Sequence, residues 1–242
     1  MSEQVVPSSA KVVVIGAGIV GNCLVGHLAR LGWTDMVLLD KGPLPNPGGS
    51  TGHASNFIFP VDHNKEMALL GVQSANQYRE LDRSVDSGGI EVARTQERMD
   101  ELQRRMTSAT AWGVEAKLLT PAEVKELVPF ISEDVILGGF YCPTVSVVDS
   151  LDTGTLFRNE AIEKTGMQVF ANTEVLDIET EPEPATGLQK VTAVVTDKGR
   201  IEAEYVVIAC GVWSNRLANM AGATIPLVPA VHQMADVGPI DI

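Results

Sequence analysis

An α/β fold built on a parallel sheet is predicted by three features of the first forty residues. Four consecutive β-branched residues, Val12, Val13, Val14 and Ile15, make the continuous apolar run that a parallel strand buried on both faces requires. Gly16, Gly18 and Gly21 follow at once in the spacing G-x-G-x-x-G. A helical pattern with apolar residues at Val20, Leu24 and Leu28 then leads past Gly32 to a second apolar strand, Met36 to Leu39, which ends at Asp40.

Each glycine has a separate physical role. Gly16 allows the tight turn, Gly18 lets backbone amides approach a pyrophosphate without a Cβ in the way, and Gly21 lets the helix pack close to the strand. The phosphates then face a helix N-terminus. Asp40 lies nineteen residues beyond Gly21, near the spacing of the acid that hydrogen-bonds a ribose 2′-hydroxyl. Strand, glycines, helix, second strand and acid in this order predict a dinucleotide site. A turn that binds nothing leaves Asp40 without a reason.

Composition narrows the function. With 242 residues, 45% apolar and 20% charged, the chain can bury a real core. The formal charge of −13 excludes a phosphate-backbone partner, since nucleic-acid binding relies on clustered lysine and arginine. No apolar run approaches the roughly twenty residues that cross a bilayer. The first ten residues are neither basic nor apolar enough for a signal or transit peptide, so a cytoplasmic location is expected. Cys23, Cys142 and Cys210 are odd in number and widely spaced, which suggests buried thiols and neither a disulfide framework nor a metal site.

After Asp40 the segment Lys41 to Gly52 is dense in proline and glycine and has no periodicity, so it reads as a loop beside the cofactor edge. Asn64 caps an expected helix with Met67, Leu70, Tyr78 and Leu81 as core, ending before the Ser87–Gly89 turn. Ile90 and Val92 begin a short strand. Thr95 to Trp112 reads as a helix with Met99, Leu102 and Met106 inward and Asp100–Arg104 and Glu101–Arg105 pairs on a solvated face. Thr120, Pro121 and Glu123 form a capping box. A strand at Val135 to Tyr141 and a helix at Asp152 to Lys164 follow, then strands near 168–170 and 175–178 which the tip Glu181 to Gly187 separates from 191–196 and 201–203, together a small antiparallel insertion. A final strand, Tyr205 to Ala209, runs into Cys210 and Gly211 and then a helix carrying Leu217 and Met220.

A nicotinamide enzyme would continue its second strand into further βα units. Here that strand leads into a proline-glycine loop and a helical insertion, an order that favours FAD. The expected organisation is a discontinuous FAD-binding domain, 1–88 with 150–225, and a partial substrate domain, 89–149 with 226–242.

The segments VVVIGAGIVG, LLDKGPLPNPGGSTGHAS, GGIEVA, LGGFYCP, VVIACGVWS and PLVPAVHQM occur in an order that resembles the N-terminal flavin domain of the dimethylglycine oxidase and sarcosine and dimethylglycine dehydrogenase group, within the glycine and D-amino acid oxidase family. The resemblance runs from about Lys11 to Gln233. It implies a Rossmann-like FAD-binding domain of the glycine/D-amino acid oxidase type, joined to an α+β substrate domain that is incomplete here. The implied reaction is oxidation of the N-methyl group of a secondary or tertiary amino acid, such as dimethylglycine or sarcosine, by hydride transfer to flavin.

In that group the segment GST-x-HA carries a histidine joined covalently to the flavin. The match at Ser50-Thr51-Gly52-His53-Ala54 nominates His53, although the residues alone also fit a loop histidine that bonds backbone. A neutral imidazole is able to act as the nucleophile. The resemblance further implies flavin contacts at Ile19, Val20, Lys41, Ser50, Thr51, Phe57, Val175 and Gly211. It places His232 near the substrate amine, where it would steer or deprotonate the ammonium, while the bland reading of His232 is structural. The sequence departs from the group at Thr144–Ser150, where an Asp-Gly turn and a proline are usual, at Asn56, where glycine is common, and at Met234, where an aromatic is usual. The resembling proteins also continue further, often into a folate-binding domain. That implies a folate-binding domain or subunit as partner, with the alternative that this chain is a non-catalytic flavin-binding fragment or subunit needing a partner chain.

Overall fold

The computed structural model describes residues 5–62, 64–231 and 233. In chain order its strands are β1 (Ser9–Ile15), β2 (Met36–Leu39), β3 (Phe57–Ile58), β4 (Ser84–Asp86), β5 (Gly89–Ala93), β6 (Lys117–Leu119), β7 (Gly138–Cys142), β8 (Ser146–Val148), β9 (Gln168–Phe170), β10 (Val175–Pro182), β11 (Gln189–Thr196) and β12 (Gly199–Ile208). The helices are α1 (Ile19–Arg30), α2 (Lys65–Glu80), α3 (Gln96–Ala111), α4 (Pro121–Leu127), α5 (Ser150–Thr165) and α6 (Ser214–Met220). They form two compact units, one running to Ala54 and resuming at Ser150, the other Ser55–Asp149 with Gln233.

The first unit is a six-stranded sheet in the order β10-β11-β12-β1-β2-β9. β12, β1, β2 and β9 are parallel, while β10, β11 and β12 pair antiparallel. The apolar run of β1 has its reason here. Val13 and Ile15 join Val37, Leu39 and the α6 residue Leu217 on one face, and Val12 and Val14 join Val25, Ala29 and Ala161 of α1 and α5 on the other. A strand covered on both sides can carry no polar alternation.

α1 and α5 approach closely at Gly26, where a Cβ would lie 2.5 Å from the Phe157 ring. Arg30 sits 4.8 Å from that ring's centroid and forms a two-pronged pair with Glu160 at 2.9 and 2.7 Å. The hydrogen bond from Arg30 holds the Glu160 carboxyl down to about 2, with Lys164 assisting. Because this pKa is depressed in the folded chain, the stabilisation is present above the unfolded carboxylate value and is lost as pH falls through about 2. Glu160→Gln is expected to cost about 1 kcal/mol at neutral pH, the pair being partly solvated. In urea melts that difference narrows as the pH is lowered towards about 3.

In the second unit β5, β7 and β6 form one antiparallel sheet and β3, β8 and β4 another. Leu102 and Ala109 of α3 bury against Phe140 and Cys142, with Met99 and Met106 packed beside them. The capping box closes as expected: Thr120 Oγ1 accepts from Glu123 N–H, and Glu123 Oε2 accepts from Thr120 N–H at 2.7 Å.

Several expectations change. Residues 55–88 belong with the second unit, because β3 and β4 both pair with β8. Met67 and Leu70 are exposed, and α2 buries Ala68 and Ala75 instead. Arg104 pairs with Glu101 one turn back. Arg105 is not on a solvated face; it pairs with Glu91, donates to Val61 O at 3.0 Å and lies over the Phe59 and Phe140 rings. The expected strand from Val135 starts at Gly138, after a 3-10 turn over Glu133–Val135. The segments 201–203 and 205–208 are one continuous strand, β12, and 168–170 is not in the antiparallel insertion but forms β9, parallel to β2. Of the three cysteines, all free, Cys142 is buried and Cys23 and Cys210 are partly so.

Candidate functional site

The site is built at the carboxyl ends of β1, β2 and β12, where ligands of open α/β sheets bind. After β1 the chain turns at Gly16, whose φ of +107 is a conformation that L side chains rarely adopt; a Cβ there would also meet Ala209 O at 2.4 Å. A Cβ on Gly21 would fall 1.8 Å from Gly16 O, so the first turn of α1 lies directly on the glycine turn. Val20 is exposed, contrary to the expected inward stripe, and α1 buries Val25 and Ala29. The first turn faces the site and so cannot reach the core.

Asp40, at the end of β2, fastens the two turns together. Its Oδ2 accepts from Ala17 N–H at 2.7 Å and its Oδ1 from Gly42 N–H at 2.8 Å. Its backbone is held by Phe170 O and Thr173 N–H. Each carboxylate oxygen keeps acceptor capacity for a ribose hydroxyl.

The loop after β2 returns to the helix. A 3-10 turn over Ser50–His53 places Thr51 Oγ1 where it accepts from Ile19 N–H at 3.0 Å. Gly18, the N-cap of α1, supplies no side-chain cap, so Thr51 provides one from elsewhere in the chain. Ser150 Oγ, at the start of α5, donates to Thr51 O at 2.8 Å. His53 is exposed, and its Nδ1 lies 3.0 Å from Gly49 O. A carbonyl only accepts, so Nδ1 carries a hydrogen, and in the neutral form of the ring the lone pair would be on Nε2.

A cavity of about 450 Å³ lies between these elements. Of the sequence-predicted residues, Gly16, Gly18, Ile19 and Val20 line it from the first turn and Asp40 and Lys41 from the second. Ser50, Thr51, Val175 and Gly211 complete that set. Gly21 stands behind Gly16, and His53 lies between Thr51 and Ala54, which both line the cavity. Phe57 is exposed in β3 of the second unit. His232 lies outside the described residues. Asn56, at a position where glycine was the expected type, has φ +63, a left-handed conformation that asparagine tolerates.

Sequence reasoning missed Glu174, Trp213 and Arg216 on the cavity wall. Glu174 neighbours Val175 and the other two follow the glycine that ends the last strand, which was the available signal. Cys210 also lines the cavity; burial and then the nearby Asp40 push its thiol up to about 11, so it stays protonated and donates to Ile15 O at 3.2 Å.

These residues fit a dinucleotide. The turn leaves room that a Cβ would fill, α1 presents an N-terminus without its own side-chain cap, Thr51 keeps its hydroxyl hydrogen for a phosphate oxygen, and Asp40 has lone pairs for a ribose. The cavity is of the size that small-molecule and cofactor sites usually have.

Comparison with known proteins agrees. The chain is 33% identical to mouse mitochondrial sarcosine dehydrogenase over 238 residues, 95% of this chain and 26% of that protein. It is 30% identical to the mouse mitochondrial pyruvate dehydrogenase phosphatase regulatory subunit, over 93% of this chain and 26% of that one. It thus spans about a quarter of the length of these relatives. Among solved structures it superposes on L-proline dehydrogenase from P. horikoshii with a TM-score of 0.79 at 26% identity, covering 90% of this chain and 57% of that one. The family described as FAD dependent oxidoreductase (DAO) matches residues 11–242, and this chain belongs to that family.

Proposed function

We propose that the chain is the flavin-binding part of an amine oxidoreductase that removes hydride from the N-methyl carbon of sarcosine, dimethylglycine or a similar amino acid. One observation carries this reading beyond the family. The GST-x-HA segment forms a turn against the cofactor cavity, with an exposed histidine whose Nδ1 faces Gly49 O, which leaves Nε2 as the ring nitrogen directed away from that bond. The likeness to sarcosine dehydrogenase supports the substrate class.

FAD, when bound, supplies a two-electron acceptor. The chain's own residues hold and orient it. The α1 N-terminus and the Thr51 hydroxyl offset the pyrophosphate charge, and Asp40 fixes the ribose. His53 would tie the ring through Nε2. The substrate nitrogen must be neutral before hydride can leave the adjacent methyl carbon, and we assign that proton handling to His232. The product is an iminium, which water splits into formaldehyde and the demethylated amine or which a folate-binding domain or partner receives.

Anaerobic titration of the FAD-loaded protein with sarcosine and dimethylglycine tests the reading. Bleaching of the flavin absorbance is expected. A second reading, a flavin-binding module without catalysis of its own, is favoured by the likeness to a regulatory subunit. Flavin that stays oxidised with both amines would select it.

A further inference from the structure

We infer that Ser150 is a positioning residue for the covalent attachment of flavin at His53, an inference that rests on the reading of His53 given above. The turn that carries His53 is held from two sides through its neighbour Thr51. The Thr51 hydroxyl accepts from Ile19 N–H at 3.0 Å, which ties the turn to the start of α1. The Thr51 carbonyl accepts from Ser150 Oγ at 2.8 Å, across 99 residues of sequence, which ties it to the start of α5. Ser150 is only 8% exposed and lines the same cavity. Within the turn, Gly52 abuts the Asn46 side chain, where a Cβ would lie 2.4 Å from Asn46 Oδ1, and His53 Nδ1 donates to Gly49 O.

The two ties differ in what they do when cofactor enters. The Ile19–Thr51 bond lies at the helix N-terminus, where the pyrophosphate competes for the same groups. The Ser150–Thr51 bond does not involve the α1 N-terminus. It therefore holds the peptide plane two residues before His53 while the other tie is exchanged for phosphate contacts. A nucleophile held in one orientation reacts faster than one that samples several.

In the attachment step the Nε2 lone pair forms a bond to the ring methyl carbon and one methyl C–H bond breaks. Its electron pair enters the ring system. The methyl proton and the imidazole N–H proton are taken up by the ring, which is thereby reduced by two electrons. Dioxygen then removes two electrons and two protons to restore the oxidised ring.

The test follows the mass of the denatured chain over time after apoprotein is mixed with saturating FAD. Ser150→Ala is expected to slow attachment about three- to tenfold, the effect of one lost hydrogen bond. Saturation separates this rate from affinity. Ser150→Thr, which keeps the hydroxyl, is expected to restore it. If Ser150→Ala does not fold, Ser150→Cys, which keeps the volume with a weaker donor, is expected to show the slowing. Equal rates in wild type and variant, or slowing that Ser150→Thr does not correct, would overturn the role of Ser150. A wild-type chain that never gains the mass of FAD would instead overturn the reading of His53 on which it rests.

Discussion

Replacing His53 by alanine is expected to leave the protein able to bind FAD but to release all of it on denaturation. The wild-type chain is expected to keep its flavin through acid precipitation. The reason lies in how the work is divided around the cavity. In the proposed reading pyrophosphate and ribose are held by the α1 N-terminus, Thr51 and Asp40, which the substitution leaves in place. His53 is exposed, and its one described bond, to Gly49 O, lies within its own turn, so its loss opens no cavity in the core. Affinity and stability should therefore change little while the covalent fraction falls from near completion to nothing. Protein-bound flavin after precipitation measures it directly. Flavin that remains attached in the alanine variant would place the link at another residue.

Gly21→Ala is expected to be among the most damaging single substitutions in the chain. On an exposed helix position alanine would gain up to about 1 kcal/mol over glycine. Here the added methyl carbon would lie 1.8 Å from Gly16 O, and its neighbour is backbone rather than a side chain that could rotate away. The helix must lift from the turn, and Asp40 loses its fixed partner at Ala17. We expect a net loss of about 2–4 kcal/mol in urea unfolding, together with loss of FAD binding. Gly32→Ala is the control. Gly32 has φ +83 but nothing within 4 Å of the added carbon, so the expected cost is only the conformational one, about 1 kcal/mol.

The contiguous part of the site was legible in the sequence, and the parts assembled from a distance were not. β1, the glycine turn, α1, β2 and Asp40 announce themselves because each step constrains its neighbour within about forty residues. The stretch of α2 and β4 does not, since an apolar residue such as Leu70 carries no sign of whether another element will cover it. β12 was read as two strands because its setting changes along its length. It pairs antiparallel with β11 from Gly199 to Glu202, where charged residues alternate outward, and in parallel with β1 from Glu202 onward, becoming apolar after Tyr205. Arg105 looked like a surface charge by helical spacing alone, yet two aromatic rings and a carbonyl from other elements receive it. Trp213 and Arg216 reach the cavity only because α6 starts where β12 ends beside β1. The Ser150–Thr51 bond has no local signature at all, being a meeting of a helix start and a 3-10 turn 99 residues apart.

On the proposed reading, the turn after β1, Asp40 and the Ser50–His53 turn together hold FAD. Titration of purified apoprotein with FAD, followed by flavin fluorescence and by absorbance retained after gel filtration, tests it most directly. Stoichiometric yellow protein is expected, with binding weakened by about tenfold or more in Asp40→Ala, which loses a ribose acceptor and the anchor of both turns. Protein that stays colourless in excess FAD, or that binds it equally well without the Asp40 carboxylate, would contradict it.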